Sequence, residues 1–565
     1  MYVSTPRNRQ TPKLMTRKDD SVNATQPASF RLLTCTLLLL VLFAMSQRLI
    51  AANFNLYFDK DEVRKLMRTS GFRAAQIQSQ LTVADPMTVG SWVDRYQYAC
   101  SHCSKSPSLA ALKANREHPP LYYVLLQKWL RLLGRWLSPK VFATLITIAT
   151  LPVLYWLTVE LFNDWLAGMI SMAIFAVSPL MFAVSQHVSQ YSLLCLLSCL
   201  STAYFIRAYR LGKRLDWVLY SLSVGLGLYT HLFFVLLPAA HGCYGLLQRS
   251  FLRLRSFLLA VTIAGLSFLP WIIGIIGSYQ NFEDTTGIET SPVLDSPPAV
   301  WTYFANGVKF TIELFLKKSN ISLLNNEWID SNLASGIALT VFVGITYWLL
   351  RHRQSQDSFL LILACLWVPT IPIMVLDTFL VQGISAKVRY YLPTVMIILP
   401  LLGYWLSLGI RSPFLVRRRW VSVGLLMLLM VSLTSSSRLF VLSLSNRASG
   451  PQYGLGYQRA ANVANQDVNI LVISYEDYIQ SLIFVHRLNT NAHYLMRERN
   501  ELSSASLSTE IKQYRDRYGK IFVLSPSQSQ VDKLQEAGIA YQGIPERWNV
   551  PVLYQILPID SAVVK

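Results

Sequence analysis

The chain has 565 residues, 52% of them hydrophobic and only 15% charged, with a mean hydropathy of +0.35. That composition excludes an ordinary soluble globular protein and points to a polytopic membrane protein. The formal net charge of +20 comes from Lys and Arg clusters between apolar runs, the pattern of cytoplasmic loops facing anionic headgroups, so no nucleic-acid partner is expected.

In chain order, a basic tail over residues 1–31 (Arg7, Arg9, Lys13, Arg17, Lys18) precedes the apolar run 32–45. The tail is long and no small-x-small cleavage site follows, so the run reads as an uncleaved first helix with its N-terminus in the cytoplasm. Next comes "NLYFDKDEVRKLMRTSG", which sets Asp59, Asp61 and Glu62 against the outer membrane surface. A carboxylate there can serve as general base for a hydroxyl, or simply start a helix whose dipole favours acids. "CSHC" places Cys100 and Cys103 around His102 without a second pair at zinc spacing, which leaves a local disulfide or two free thiols. The other cysteines (Cys35, Cys195, Cys199, Cys243, Cys365) sit in apolar runs as small core residues.

In "EHPPLYY", Pro119 and Pro120 suit only the first turn of a helix and mark a sharp entry, with Glu117 and His118 near the membrane plane. His118 reads either as a hydrogen-bonded structural residue or as a ligand contact. In the following segment, Leu121 to Trp136, Lys128, Arg131 and Arg135 share one helical face opposite Leu125, Trp129 and Leu132, an interfacial pattern. Its length of roughly 24 Å also falls short of an apolar core of about 30 Å.

Bilayer-length runs follow at 140–162, 165–184, 191–209, 216–231, 232–248, 257–278, 331–350, 358–381, 390–410 and 420–438. With the first helix, that makes about eleven spans. If 121–136 lies flat on the outer surface, the clusters Arg210/Lys213/Arg214, Arg249/Arg253/Arg255, Arg351/Arg353 and Arg411/Arg417/Arg418/Arg419 face the cytoplasm, while Glu283, Asp284, Glu289 and Asp295 face outward. Every loop then obeys the positive-inside rule, whereas one more crossing inverts them all.

On the outer side this leaves a first loop over 51–138, a tight turn at Ser185–Gln190, a loop over 279–330 and a tail over 440–565. The turn "VSQHVSQYSLL" carries Gln186, His187, Gln190 and Tyr191; polar groups at that depth line a cavity or pair internally. "GLYTHLFF" puts Thr230 and His231 where two short spans meet, and "GISAKVRYYLP" puts Lys387, Arg389 and Tyr390 at the mouth of a span, against the local charge rule. Such cations invite a phosphate, or snorkel to headgroups. The tail alternates strand-like runs ("NILVIS", "KIFVLS") with helical ones at 475–487, 508–518 and 528–537, a small α/β unit with a parallel sheet and no glycine-rich nucleotide turn.

Over roughly 30–440, these features together resemble the C-superfamily glycosyltransferases of the family 39 type, the group of protein O-mannosyltransferases and lipid A aminoarabinose transferases. Asp61-Glu62 after the first helix, His118-Pro119-Pro120 opening the interfacial helix, the Ser-Gln turn after the third span, Tyr229-Thr230-His231 and Arg389 to Pro393 occur in the family's order. The resemblance implies a polyprenyl-phosphate-linked sugar donor and transfer on the outer face with inversion. It further implies Asp61 as base, with Glu62 beside it in the catalytic pair, and Arg389 and Lys387 on the departing phosphate. Asp59, His118, Gln186, His187, Gln190, Tyr191, His231 and Tyr390 complete the expected substrate site. The family's turn reads Ser-Gln-Glu-Ala-Arg-x-Tyr, and here Ser185-Gln186-His187-Val188-Ser189-Gln190-Tyr191 lacks both the acid and the arginine. Either His187 and Gln190 take over those contacts, or the member is divergent in substrate or activity.

The expected architecture is therefore a polytopic α-helical membrane protein of about eleven spans, with an interfacial helix in its first outer loop and a small C-terminal α/β domain. Its parts are the tail 1–31, a transferase-like module 32–439 and the domain 440–565. A transporter or flippase is disfavoured, because few charges lie inside spans and no repeat is visible; a catalytically silent scaffold is the other alternative. The acceptor class stays open among lipid, polysaccharide and protein. No cofactor is fixed and a divalent cation is left open. The placement is the inner (plasma) membrane, with site and tail periplasmic.

Overall fold

The computed structural model describes residues 28–558 apart from 56–57, 73, 84, 99–111, 114–117, 135, 249, 278–313, 316–343, 352–356, 381–386, 445–453, 498–500 and 545–552. The basic tail, Glu117, the Cys100–Cys103 pair, Arg135, Arg249, Arg353 and the acidic loop with Glu283, Asp284, Glu289 and Asp295 lie outside the described residues.

The first helix, α1 (Ala28–Phe54), is followed by α2 (Lys60–Ser70), α3 (Ala74–Val83), the short strand β1 (Met87–Thr88), α4 (Val89–Tyr96) and α5 (Leu121–Leu133). The bundle continues with α6 (Pro139–Phe162), α7 (Trp165–Val177), α8 (Pro179–Gln186), α9 (Tyr191–Leu211), α10 (Arg214–Leu228), α11 (Leu236–Leu247) and α12 (Phe251–Gly277). It closes with α13 (Asp357–Leu380), α14 (Leu392–Ile410) and α15 (Leu415–Leu444).

Among the described residues seven helices are long and apolar enough to cross a membrane, or eight if α7 and α8, bent by 61°, count as one broken span. The runs expected at 216–231 and 232–248 form helices of 15 and 12 residues, and only the end of 331–350, from residue 344, is described.

The break between α7 and α8 has a local cause. Pro179 cannot donate to the preceding turn and sits at the first position of α8, while Ser178 caps α8 by accepting the Met181 N–H. The freed carbonyls are buried, and Arg48 of α1 reaches them, donating to Phe175, Ala176 and Ser178 at 3.0, 2.8 and 3.3 Å. All three contacts are made by Nη2, so this one nitrogen is shared among the carbonyls that the interrupted ladder left over. Nearby, α14 packs directly on α7: a Cβ at Gly403 would lie 2.5 Å from the Ala167 carbonyl, and Ser171 donates to the Leu399 carbonyl at 3.1 Å.

At 13 residues α5 is about 20 Å long, too short to span. It has three faces, where the sequence suggests two. Tyr122, Tyr123, Leu126 and Leu130 pack on protein, Lys128 and Arg131 are exposed, and Leu132 with the following Trp136 is also exposed, at 77% and 82%.

The tail comprises α16 (Gly454–Ala464), β2 (Ile470–Ser474), α17 (Tyr478–Val485), β3 (His493–Met496), α18 (Glu501–Arg515), β4 (Lys520–Leu524), α19 (Gln528–Glu536), β5 (Tyr541–Ile544) and β6 (Leu553–Ile556). The strand order is β1-β3-β2-β4-β6-β5. The expected parallel pairing holds for β3, β2 and β4, but β6 runs antiparallel to β4, and β5 to β6. The other edge comes from the first loop: Met87 and Thr88 pair antiparallel with Tyr494 and His493, and Trp92 of α4 meets the Tyr494 ring at 5.1 Å. First loop, tail and bundle share one contiguous apolar core, from Leu126 and Leu154 to Phe484 and Phe522.

Candidate active site

The site is built on α2. Its sequence Asp59-Lys60-Asp61-Glu62 is a capping box: Asp59 accepts the Glu62 N–H at 2.8 Å, and Glu62 reaches back to accept the Asp59 N–H at 3.1 Å. Glu62 is also the bolt to the next layer, because its other oxygen accepts the Val188 N–H at 2.8 Å and lies 3.6 Å from the buried ammonium of Lys140. Phe58, just before the cap, is held between Lys140, 4.8 Å from its ring, and the ring of His486 at 4.5 Å. The tail thus grips the start of α2 from outside the bundle, and α17 packs along α2 itself.

Three residues of the helix face one way by spacing: Asp61, Lys65 and Arg68 stand at i, i+4 and i+7. Asp61 pairs with Arg389 at 3.2 Å, joining the first loop to the short 3-10 turn Val388–Tyr391 that opens α14. Arg389 also lies 5.9 Å from the Tyr191 ring and 5.4 Å from that of Tyr390, within cation–π range of both. Lys65 approaches the same Tyr191 ring to 5.6 Å.

His187 lies 2.9 Å from Asp59, filling the position where the resembling family carries an acid. Burial alone would raise the Asp59 carboxyl, but the His187 hydrogen bond and charge, the Glu62 N–H and Lys65 outweigh it and hold it below the usual carboxylate range. Burial pushes Lys65 down to about 8, even with Asp61, Asp59 and Glu62 nearby opposing it. His118 is lowered first by burial and then by Arg68, Lys65, His231 and Arg389, which favours the neutral imidazole.

Behind this front, the ring of His231 sits 5.8 Å from Tyr191 and 5.9 Å from Tyr390. Its Nδ1 accepts the Phe233 N–H, which leaves Nε2 to carry the proton in the neutral ring. Gln190 Oε1 is buried without a hydrogen-bond partner. Two expected contacts are placed differently. Gln186 turns into the bundle, donating to the Arg48 carbonyl at 3.0 Å and to Ser185, and Lys387 is exposed just before the 3-10 turn. The structure therefore gathers Asp59, Asp61, Glu62, His118, His187, Gln190, Tyr191, His231, Arg389 and Tyr390 at one end of the bundle. Sequence reading missed Lys65, Arg68 and Lys140; the four- and seven-residue spacing from Asp61 was the available signal for the first two.

Asp59, Glu62 and His187 offer ligand atoms within 4.8 Å of one another, a spacing that can hold a divalent cation. Each carboxylate is already engaged by backbone N–H groups of the cap or turn, and the Lys140 ammonium stands beside Glu62. As it stands, the cluster is the hydrogen-bonded cap of α2.

The helical bundle, the short helix α5 and the acid–arginine pair at one end are the arrangement that the sequence's resemblance to C-superfamily glycosyltransferases implies. Residues 117–273 match the family described as dolichyl-phosphate-mannose-protein mannosyltransferase. In fold the chain is similar to ArnT from Cupriavidus metallidurans in the apo state, with a TM-score of 0.51 at 13% identity over 93% of this chain and 98% of that one. It is equally similar, at TM-score 0.51 and 13% identity, to the same ArnT bound to undecaprenyl phosphate, over 92% of this chain and 98% of that one. A search of curated protein sequences finds no match.

Proposed function

We propose that the protein is a membrane glycosyltransferase that moves a sugar from a polyprenyl-phosphate-linked donor to an acceptor hydroxyl at the outer membrane face, with inversion. The observation that carries this reading is the Asp61–Arg389 pair at 3.2 Å, half-exposed at the mouth of the bundle. A base and a phosphate-binding cation stand side by side there, as a single displacement requires. The acceptor oxygen attacks the anomeric carbon while the bond from that carbon to the phosphate oxygen breaks. Asp61 takes the hydroxyl proton, and the charge gathering on the leaving lipid phosphate is met by Arg389, with Lys387 at the rim. Glu62, engaged by two backbone N–H groups and Lys140, positions Asp61. His187 and Gln190 take the places of the family's acid and arginine, and His118, His231, Tyr191 and Tyr390 shape the pocket.

The family match and the fold shared with a protein solved with undecaprenyl phosphate support a lipid-phosphate donor. The sugar is a hexose or pentose, and the acceptor a lipid, polysaccharide or protein. On this reading the module over 32–439 crosses the membrane about eleven times, counting α10, α11 and the segment 331–350. The site and the 440–565 domain then face the periplasm across an inner (plasma) membrane. Support comes from charge: Arg210 lies in the last turn of α9, whose first residue Tyr191 is in the site, and Arg411 follows α14, whose start is in the site.

The test is sugar transfer from a radiolabelled polyprenyl-phosphate donor pool in membrane vesicles, wild type against Asp61→Asn at equal expression. Removing a general base is expected to lower the rate by about 10²- to 10⁴-fold. Equal product from both proteins removes Asp61 from the mechanism, and no wild-type product across several donor sugars sinks the transferase reading.

A further inference from the structure

The ammonium of Lys65 is the group in this site whose chemistry is left over. The side chain is 5% exposed, yet it has no hydrogen bond or ion pair among the described residues, and it lies over the face of Tyr191 at 5.6 Å. The carboxylates around it are all engaged elsewhere: Asp61 with Arg389, Asp59 with His187, Glu62 with Lys140 and Val188. Arg389 stands over the same Tyr191 ring at 5.9 Å, and its Nε is buried without a hydrogen-bond partner. Two cations on one ring repel each other, and a buried ammonium with no hydrogen bond or ion pair of its own is costly to keep in a fold, even with Asp61, Asp59 and Glu62 near enough to attract it.

We propose that Lys65 and Arg389 together form the seat of a phosphate group, with the Tyr191 ring as its floor, and that Lys65 is the half of the seat reserved for the ligand. The inference deepens the transferase reading and rests on it for the source of the phosphate, the lipid-linked donor and its polyprenyl phosphate product. A compact ammonium suits a phosphate as a point charge, while Arg389 can hold both Asp61 and a phosphate oxygen through its fork.

The experiment measures binding to the purified full chain in nanodiscs, with undecaprenyl phosphate, inorganic phosphate and uncharged undecaprenol as probes. Wild type, Lys65→Met, Lys65→Arg and Arg389→Ala are compared, each with its melting temperature. Lys65→Met is expected to bind undecaprenyl phosphate at least about tenfold more weakly, the loss of one charge-assisted contact. Lys65→Arg should stay within a few-fold of wild type, and undecaprenol binding should not change. Without ligand, Lys65→Met should melt higher than wild type, because an apolar stem replaces an unpaired buried charge; a merely structural lysine gives the opposite shift. Lys65→Met binding as tightly as wild type while Arg389→Ala does not overturns the role of Lys65 and leaves the transferase reading intact. Inorganic phosphate bound through Lys65 without any lipid preference keeps the seat and removes the lipid donor. A wild type that binds neither phosphate overturns both.

Discussion

The two ends of the bundle treat charge in opposite ways. At the end away from the site, Asp164 caps α7 through the Leu166 and Ala167 N–H groups, accepts from Ser407 at 2.6 Å and pairs with Arg411 at 3.0 Å. Beside it, Arg207 bridges Asp216 at 3.0 Å and Glu160 at 3.6 Å, and Arg210 donates to Ser358. Each of those carboxylates has its cation. At the site end Asp61 and Arg389 are half-exposed, and Lys65 is buried with no hydrogen bond or ion pair among the described residues. Closed networks hold helices together, whereas open ones are held ready for something absent from the fold.

The comparison is broken most directly by exchanging the effects. Asp61→Asn at the open end should cost activity by orders of magnitude and change the melting temperature little. Asp164→Ala at the closed end should do the reverse. It removes a helix cap, a hydroxyl hydrogen bond and a buried counter-ion together, about 2 to 4 kcal/mol of stability, with the rate per folded molecule retained. Thermal melts and transfer assays on the same preparations check both. A stable Asp164→Ala protein with lost activity would mean that the far end takes part in the chemistry.

A smaller effect sharpens the contrast. The Lys65 ammonium is held down to about 8, chiefly by burial, against the attraction of Asp61, Asp59 and Glu62 and with the repulsion of Arg389. Between that value and the ordinary lysine value of about 10.4, the unfolded chain binds the proton and the folded one does not. Stability therefore rises as pH increases through this window, and Lys65→Met should abolish the rise. A wild-type melting temperature flat or falling from pH 8 to 10, relative to Lys65→Met, contradicts a buried unpaired ammonium.

Much of this was legible in the chain. Apolar length and loop charge gave the long helices and placed the Asp-Glu, His-Pro-Pro, Tyr-Thr-His and Arg-Tyr segments on one side, and the structure does gather them at one end. Periodicity could not say which polar residue turns inward. Gln186 looks like its neighbour His187 in sequence, yet it is the last residue of α8 and donates inward to the Arg48 carbonyl, whereas His187 lies past the helix end in extended backbone. The β1 strand was invisible because two residues carry no period; only the waiting edge of β3 makes Met87 and Thr88 a strand. Lys65 was hidden by its neighbours, in a run of charges that reads as a solvated helix face until α5 and Tyr191 cover it.

The finest distinction is between the two acid pairs of α2. Asp59 is held below the ordinary carboxylate range chiefly by His187, against the pull of its own burial, so its contribution to stability is fully present above the unfolded value of about 4 and is lost progressively as pH falls from there through the lowered folded value. The pair is more than a third exposed on the Asp59 side, and solvent screening keeps the effect small. Asp59→Asn should therefore melt slightly below wild type at pH 7, with the gap starting to narrow below about pH 4 and closing only as pH falls through the lowered folded value, where a protonated Asp59 and an asparagine are both neutral. Asparagine still caps α2, so the helix start survives and the difference isolates the charge. A gap that does not narrow at all as pH falls from about 4 towards the acid limit of folding would assign Asp59 to the cap alone and leave His187 free to meet substrate, moving it from the closed kind of contact to the open kind that Lys65 represents.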